Sequence, residues 1–375
     1  MTAFEIPARV VARARVDCAS ITDSITELGG QPVEIDADEL ITGRSALLGL
    51  GAPTRISCGG ASQLLEGVDG WCALTLSRPA DVDAVPALLE DDSASADPWE
   101  SLTAAVALRR VGDVVARARL LDIPAAVLGE VRAAEPIITV GQTGANRPLH
   151  EVLVVDMSSM WAGPLCGRLL ASAGATVVKV ESPGRPDGTR GGHAGFFDWV
   201  NSEKLVFAAP FGSGELAPLL RAADVVIEGS RPAALARNGL GPDVIPARPG
   251  RIWLRISGYG SSHPQRVAFG DDAAVAGGLV VESGTGPMFC ADAIADPLTG
   301  ITATAAVLAA LGTGGGAVID VSLAAVAASY AQATGPDGML TLEARAPVLP
   351  VIPAGPLGAD NDRVRTMVEK RLAAC

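Results

Sequence analysis

The chain is poor in the residues that mark the commoner site chemistries. Its three histidines (His150, His193 and His263) stand too far apart to read as a metal site. Its six cysteines (Cys18, Cys58, Cys72, Cys166, Cys290 and Cys375) form no C-x-x-C pair. A chain of 375 residues has core enough to need no disulfide stapling, so they read as small apolar side chains in a reducing cytoplasm. Positive charge is scarce: 29 Lys and Arg face 42 Asp and Glu, a net charge of −13. That balance repels a phosphate backbone and argues against a nucleic-acid partner, while leaving room for a local basic pocket that takes one anionic ligand. The opening residues mix charges early and contain no continuous apolar core, so no secretory signal is expected. Residues 297–319 carry no charge, but Gly312, Gly314, Gly315 and Gly316 interrupt them. A buried helix, a Gly-rich turn and a buried strand fit that stretch better than a membrane span.

What is present is apolar patterning. Hydrophobic residues make up 49% of the chain and charged residues 19%, the reverse of a disordered composition. The length suggests two domains. Residues 141–150 (GQTGANRPLH) read as a linker between them, because Gly, Asn and Pro cluster there. Beyond it, short apolar strands at 151–156, 176–181, 205–209, 224–228, 251–257 and 317–323 alternate with helical stretches at 163–173, 215–223 and 301–311. Strands alternating with helices predict a parallel sheet covered on both faces, with ligands at the carboxyl ends of the strands. Before the linker, 70–76 is a strand behind an Asp69-Gly70 turn, and 80–89 and 99–121 are helical in pattern. The acidic run from Asp81 to Glu100 reads as a solvated face. The expectation is an α/β protein with a smaller α/β domain over 1–140 and a Rossmann-like domain over 141–375.

The loop after the first strand of that second domain, Met157-Ser158-Ser159-Met160-Trp161-Ala162-Gly163-Pro164, lacks the G-x-G-x-x-G of a dinucleotide site. No G-x-x-x-x-G-K-[ST] loop occurs either. Glu181 ends the second strand where a nicotinamide enzyme keeps its ribose-binding acid, but acids at strand ends are common. Lys179, within a strand of valines, reads as an edge residue reaching solvent.

Several segments, taken in order, resemble the family III CoA-transferases, the group of formyl-CoA and carnitine-CoA transferases and 2-methylacyl-CoA racemases. They are 156–164 (DMSSMWAGP), 174–183 (GATVVKVESP), 201–204 (NSEK), 228–232 (EGSRP) with 239–241 (GLG), 257–260 (SGYG) and 295–300 (ADPLTG). The resemblance implies transfer of coenzyme A between an acyl-CoA thioester and a carboxylic acid, with Asp296 as the catalytic carboxylate. An aspartyl anhydride and an enzyme–CoA thioester would be the intermediates. It further implies CoA binding by Ser159, Met160, Ala162, Gly229, Ser230, Arg231, Arg237, Gly258 and Tyr259. Coenzyme A enters as a substrate, with no metal or prosthetic group and no membrane, in a homodimer.

Some positions depart from the family pattern. Ser159 replaces a histidine and Trp161 a glutamine of formyl-CoA transferase, which points Trp161 toward a larger apolar acyl group. Asp271 stands where the racemases keep a histidine, which disfavours racemisation. Read by pattern alone, Asp296-Pro297 before an Ala-rich stretch is a helix N-cap followed by proline, and the free N–H groups of the helix start would keep the carboxylate ionised. Cys58-Gly59-Gly60 and 69–71 (DGW) resemble parts of the family's smaller domain, placed here before the nucleotide domain. This implies an altered chain order akin to circular permutation, with Gly59 and Gly60 in a substrate-side loop beside Trp161. An acyl-CoA racemase and a non-catalytic CoA-binding homologue are the alternatives.

Overall fold

A computed structural model of the protein describes residues 2–91, 97–229, 235 and 237–374. The strands are β1 (Ala3–Pro7), β2 (Ser62–Gly67), β3 (Gly70–Thr75), β4 (Ala125–Val127), β5 (Ile137–Val140), β6 (Leu153–Asp156), β7 (Thr176–Glu181), β8 (Leu205–Ala208), β9 (Val225–Glu228), β10 (Ile252–Ser257), β11 (Val280–Ser283), β12 (Gly286–Phe289), β13 (Ala317–Ser322) and β14 (Met339–Glu343). The helices are α1 (Ala8–Glu27), α2 (Ala37–Leu48), α3 (Pro79–Asp83), α4 (Val85–Leu89), α5 (Pro98–Val106), α6 (Val111–Leu120), α7 (Ala162–Ser172), α8 (Ala194–Asn201), α9 (Leu216–Ala222), α10 (Gly270–Ala276), α11 (Ala295–Gly312), α12 (Leu323–Ala331) and α13 (Asn361–Ala373).

Seven strands form the central sheet in the order β5-β13-β10-β9-β6-β7-β8. All neighbours are parallel except the edge strand β5, which is antiparallel to β13. Residues alternate between the two faces. Val154, Val177, Val225, Ile227 and Leu254 join the core under α1, α7 and α11, whereas Val155, Val178, Val226 and Trp253 join the core that includes Leu219 of α9 and Val364 of α13. The chain order of the strands reverses direction at β6 and β9, which lie side by side, so a crevice opens beyond their carboxyl ends. The α/β expectation with a Rossmann-like sheet is met.

The division expected after residue 140 follows different lines in the fold. The small lobe is the β2-β3-β4 sheet with α3 to α6, and it has a core of its own. Residues before it belong with the large core: α1 packs on α11, and β1 pairs with β14 near the other end of the chain. The buried residues of α1 (Val10, Val11, Ala14, Cys18, Ile21, Ile25) recur at helical spacing, which is why this helix turns one face inward. Residues expected to form a linker are pinned instead: the Gly141 and Gly144 amides donate to the carbonyls of Gly316 and Gly314. A Cβ on Gly316 would lie 2.2 Å from the Gln142 carbonyl oxygen, so the approach requires glycine.

Two expected helices are each broken in two. Pro86 opens α4, where its missing N–H removes a bond that a continuous helix would need. Residues 107–110 separate α5 from α6, and the β2–β3 hairpin ties the break down: the hairpin's Val68 amide donates to the Arg109 carbonyl, and the Val111 amide donates to the hairpin's Asp69 carboxylate. The uncharged stretch becomes α11, the Gly-rich turn and β13. By length and hydropathy α11 could cross a membrane, and in the fold it packs between α1 and α7.

Lys179 differs most from expectation. It is fully buried, because a central parallel strand is covered on both faces. Its Nζ donates to the Ser158 carbonyl and to Asp187 Oδ2 at 2.7 Å. Lys204, also fully buried, donates to Asp156 Oδ2 (2.8 Å), the Pro164 carbonyl (2.8 Å) and Asn201 Oδ1 (2.9 Å). Asp156 in turn accepts from the Ser158 amide and hydroxyl. Lysine charge holds the Asp156 and Asp187 carboxyls below their ordinary value of 3.8 despite burial, while burial pulls Lys204 down to about 8. Each depressed carboxylate therefore stabilises the fold above about pH 4 and loses that contribution as pH falls through its lowered value. Lys204→Met would leave Asp156 without its closest cation in a dry site. Guanidinium unfolding should show a loss of about 3–5 kcal/mol, and a loss under 1 kcal/mol would mean that the pair is not a structural anchor.

Candidate active site

Asp296 lies in the first turn of α11, half-buried. The helix begins one residue before it and Ile294 occupies the cap position, so Asp296 is not the N-cap that its pattern predicts. The turn that delivers it is strained: Ala291 (φ 52°) and Ala293 (φ 43°) are both left-handed without being glycine. Three parts of the molecule hold this turn. Asp271 Oδ1 accepts from the Ala293 amide at 3.0 Å, the Cys58 thiol lies 3.6 Å from the Ala291 carbonyl, and Asp292 is gripped by Arg44 and Ser45 of α2. Gly270, at the start of α10, is packed so tightly that a Cβ there would fall 2.4 Å from Asp296 Oδ2.

The electrostatics run opposite to the expectation that N–H groups would keep Asp296 ionised. Burial raises its carboxyl to about 7; Arg44 and the Gly270 amide oppose the rise, while Asp271 and Asp292 add to it. Burial, with Asp292, lifts Asp271 to about 6, and burial lifts Asp272 to about 7. Asp272 is fully buried; its Oδ1 accepts from the Phe269 amide (2.9 Å) and Thr75 Oγ1 (3.2 Å), while its Oδ2 has no partner. Three carboxyls pushed up toward neutrality thus border this turn.

The other expected positions fall into groups. Ser159 and Met160 are exposed at the carboxyl end of β6, and Met160 is itself left-handed (φ 74°). Gly229 stands beside them across the crevice, where a Cβ would lie 2.9 Å from that of Ser158. Ala162 is buried at the start of α7, and a Cβ on Gly300 of α11 would come 3.0 Å from its carbonyl. Gly258 abuts Ala268, two residues before Gly270. The loop carrying Gly59 and Gly60 is exposed, with nothing within 4 Å of either position's Cβ direction.

Tyr259 is more enclosed than a cofactor contact would need: it is buried, its hydroxyl reaches the Ala125 carbonyl at 3.4 Å, and Arg266 covers its ring. Arg237 is exposed; Ser230 and Arg231 lie outside the described residues. Trp161, expected beside the acyl group, is enclosed. It is buried, edge-on to Phe196 at 5.5 Å and covered by the Arg44 guanidinium at 5.6 Å. Glu181 is likewise engaged, bonded to Arg190 and the Asp187 amide, which leaves no free carboxylate for a ribose. Among the described residues, no group of three or more His, Cys, Asp or Glu side chains is arranged to hold a metal ion.

Sequence reasoning missed Arg44, Ser45 and Asp292. Nothing local marks them, since Arg44 and Asp292 are 248 residues apart and meet only in the fold. Lys179 did carry a signal: Lys179 and Glu181 share one side of a strand whose other residues are nearly all valine, so they had to find partners under cover.

Residues 149–348 match CoA-transferase family III. Among characterised relatives, the chain is 34% identical to succinyl-CoA–D-citramalate CoA-transferase of Chloroflexus aurantiacus over 47% of this chain and 49% of that one. It is 33% identical to succinate–glutarate CoA-transferase of Agrobacterium fabrum over 44% and 47%. It is 32% identical to human succinyl-CoA:glutarate CoA-transferase over 47% and 45%. The chain thus spans about half the length of the curated relatives it matches. The solved structure of a CAIB/BAIF family protein from Brucella suis aligns at 28% identity and a TM-score of 0.44, over 52% of this chain and 60% of that one.

The unpartnered oxygen of Asp272 generates a prediction about stability. Its folded pKa lies above the ordinary 3.8, so its stabilising effect is complete below that value and is lost as pH rises through about 7. Asp272→Asn keeps the accepting oxygen and removes the charge. The variant should gain on the order of 1–3 kcal/mol at pH 8 and close to nothing at pH 4. Thermal unfolding at the two pH values checks this, and an equal change at both would refute it.

Proposed function

The chain belongs to CoA-transferase family III, and from that membership and the geometry at Asp296 we propose that it transfers coenzyme A between an acyl-CoA thioester and a carboxylic acid. The observation that carries the reading is a half-buried carboxylate, titrating near neutrality, on a strained turn at the carboxyl side of a Rossmann-like sheet. Ionised Asp296 attacks the thioester carbonyl carbon, forms a C–O bond and expels CoA thiolate, leaving a mixed anhydride. The thiolate then attacks the aspartyl carbonyl, which releases the first acid and forms an aspartyl–CoA thioester. The acceptor carboxylate attacks that thioester, giving a second anhydride and thiolate again. Attack of the thiolate on the new acyl carbonyl yields the product and restores Asp296. The energy of the thioester is retained through every step.

A raised pKa serves this chemistry. A more basic carboxylate is a better nucleophile, and at a pKa of about 7 a large fraction is still ionised at neutral pH. The crevice between Ser159-Met160 and Gly229 would take the nucleotide end of CoA, with Gly258 along the path toward Asp296 and Gly59-Gly60 on the acid side. The three relatives above carry succinyl or succinate in their names, so succinyl-CoA with a panel of dicarboxylates is the first substrate set to test. We further propose a homodimer.

Incubation with an acyl-CoA and hydroxylamine should leave a hydroxamate at Asp296, seen by peptide mass spectrometry. Asp296→Ala should lower exchange by about 10³-fold or more while the chain stays folded. Because the nucleophile must be ionised, the rate should rise with pH through about 7 and then level off. Deuterium entering the α-carbon without CoA exchange would replace this reading with proton exchange by Asp271 and Asp296. CoA binding with neither reaction would replace it with a non-catalytic CoA-binding role.

A further inference from the structure

Asp296 sits among like charges, and among the described residues one cation is set against them. That cation is Arg44, on α2, from a part of the chain that precedes the family-matched residues. Asp36 caps α2, accepting from the Asp38 amide at 2.9 Å, and left-handed Gly49 ends it, so the position of Arg44 on the helix is well defined. Its Nη1 lies 2.6 Å from Asp292 Oδ1, and the hydroxyl of neighbouring Ser45 donates to Asp292 Oδ2 at 3.1 Å. The guanidinium is also 5.6 Å from the Trp161 ring and 5.5 Å from the Phe196 ring, an aromatic platform that fixes its plane. Asp292 is nearly inaccessible to water, whereas Arg44 keeps about a quarter of its side-chain surface exposed, 24%. The pair therefore stands at the edge of the site with its cationic side toward solvent.

Asp292 lies between the two left-handed alanines, so the grip of α2 falls on the strained turn itself. Ala293 is fixed from the other side: its amide donates to Asp271, and its carbonyl accepts from the Asp296 amide at 2.9 Å. The charged and titratable groups facing Asp296 from the surrounding elements are Arg44 of α2, Asp271 of α10 and Asp292 of the turn. Cys58 faces Asp271 and Asp292. We propose that Arg44 is a positioning residue that clamps the Asp292 turn to Trp161 and supplies a positive charge against which the Asp296 carboxylate is balanced. The inference builds on the reading of Asp296 as nucleophile, but it concerns the ionisation and placement of that carboxylate, which can be measured without turnover.

The test uses the full chain and a water-soluble carbodiimide, which modifies protonated carboxyls, with Asp296 modification followed by peptide mass spectrometry across pH. In Arg44→Met, loss of the cation should move the half-modification point of Asp296 up by about one pH unit. Arg44→Lys should restore most of the wild-type value. Asp292→Asn, which removes a like charge, should move it down. A purely structural clamp would loosen the turn in both non-conservative variants and shift them the same way, so opposite shifts support the proposal and a common direction overturns it. An unmoved Asp296 titration in a folded Arg44→Met would also overturn it. Should Arg44→Met fail to fold, the comparison of Arg44→Lys with Asp292→Asn decides alone: Lys near wild type with Asn shifted down supports the proposal, and any other pattern rejects it. Failure of hydroxamate trapping at Asp296 would count against the transferase reading and leave these shifts unchanged.

Discussion

The buried pairing of Lys204 with Asp156, extended through Ser158 to Lys179 and Asp187, is the constraint on which the site depends. Two ammonium and two carboxylate groups are out of water around a single strand-to-helix turn. Taking each ion from water costs several kcal/mol, which is offset only when its bonding capacity is filled inside. Here it is filled largely by that turn and by its flanks: the Ser158 carbonyl, the Ser158 amide and the Pro164 carbonyl all take part. Satisfying the ions and fixing residues 157–164 are therefore one event. With that turn fixed, Ser159 and Met160 face Gly229, and α7 starts where it can cross α11 at Gly300.

Around Asp296 the charges do the opposite. Asp271, Asp272 and Asp296 are pushed toward neutrality because burial and mutual repulsion outweigh the few donors available. The first network is balanced ion for ion and rigid; the second has an excess of carboxylate with Arg44 set against it. The family membership makes functional sense of the difference, since a nucleophilic carboxylate gains from being basic and a structural one gains from being paired.

The organisation of the chain ties these regions together. Segments preceding the family-matched residues are not a separate body beside the sheet. The β1–β14 ladder, the packing of α1 on α11 and the Arg44–Asp292 pair build residues 3–48 into the same core as the helix that carries Asp296. The small lobe reaches the first turn of α10, which packs beside Asp296, through Ser62 and Thr75, which bond to Asp271 and Asp272.

The sequence by itself determined the sheet and the place of the carboxylate proposed as nucleophile. Near-continuous apolar runs at 153–156, 176–181 and 225–228 with helical spacing between them admit few alternatives to a covered parallel sheet, because burial on both faces is written into each strand. Asp296 was legible through the motif 295–300, and its place at a helix start through Pro297. Its ionisation was not, because that depends on burial, on carboxylates that the fold gathers around it and on a guanidinium hundreds of residues away. The enclosure of Trp161 and of Lys179 was hidden for the same reason. A bulky ring on a loop and a lone lysine in a strand say nothing of what covers them, and only the packing of α2, α8 and the 187–190 turn decided that both are enclosed. Sequence pattern fixes which face of an element is apolar. Charge balance at a point in space is a sum over every segment that reaches it, and that sum exists only once the chain has folded.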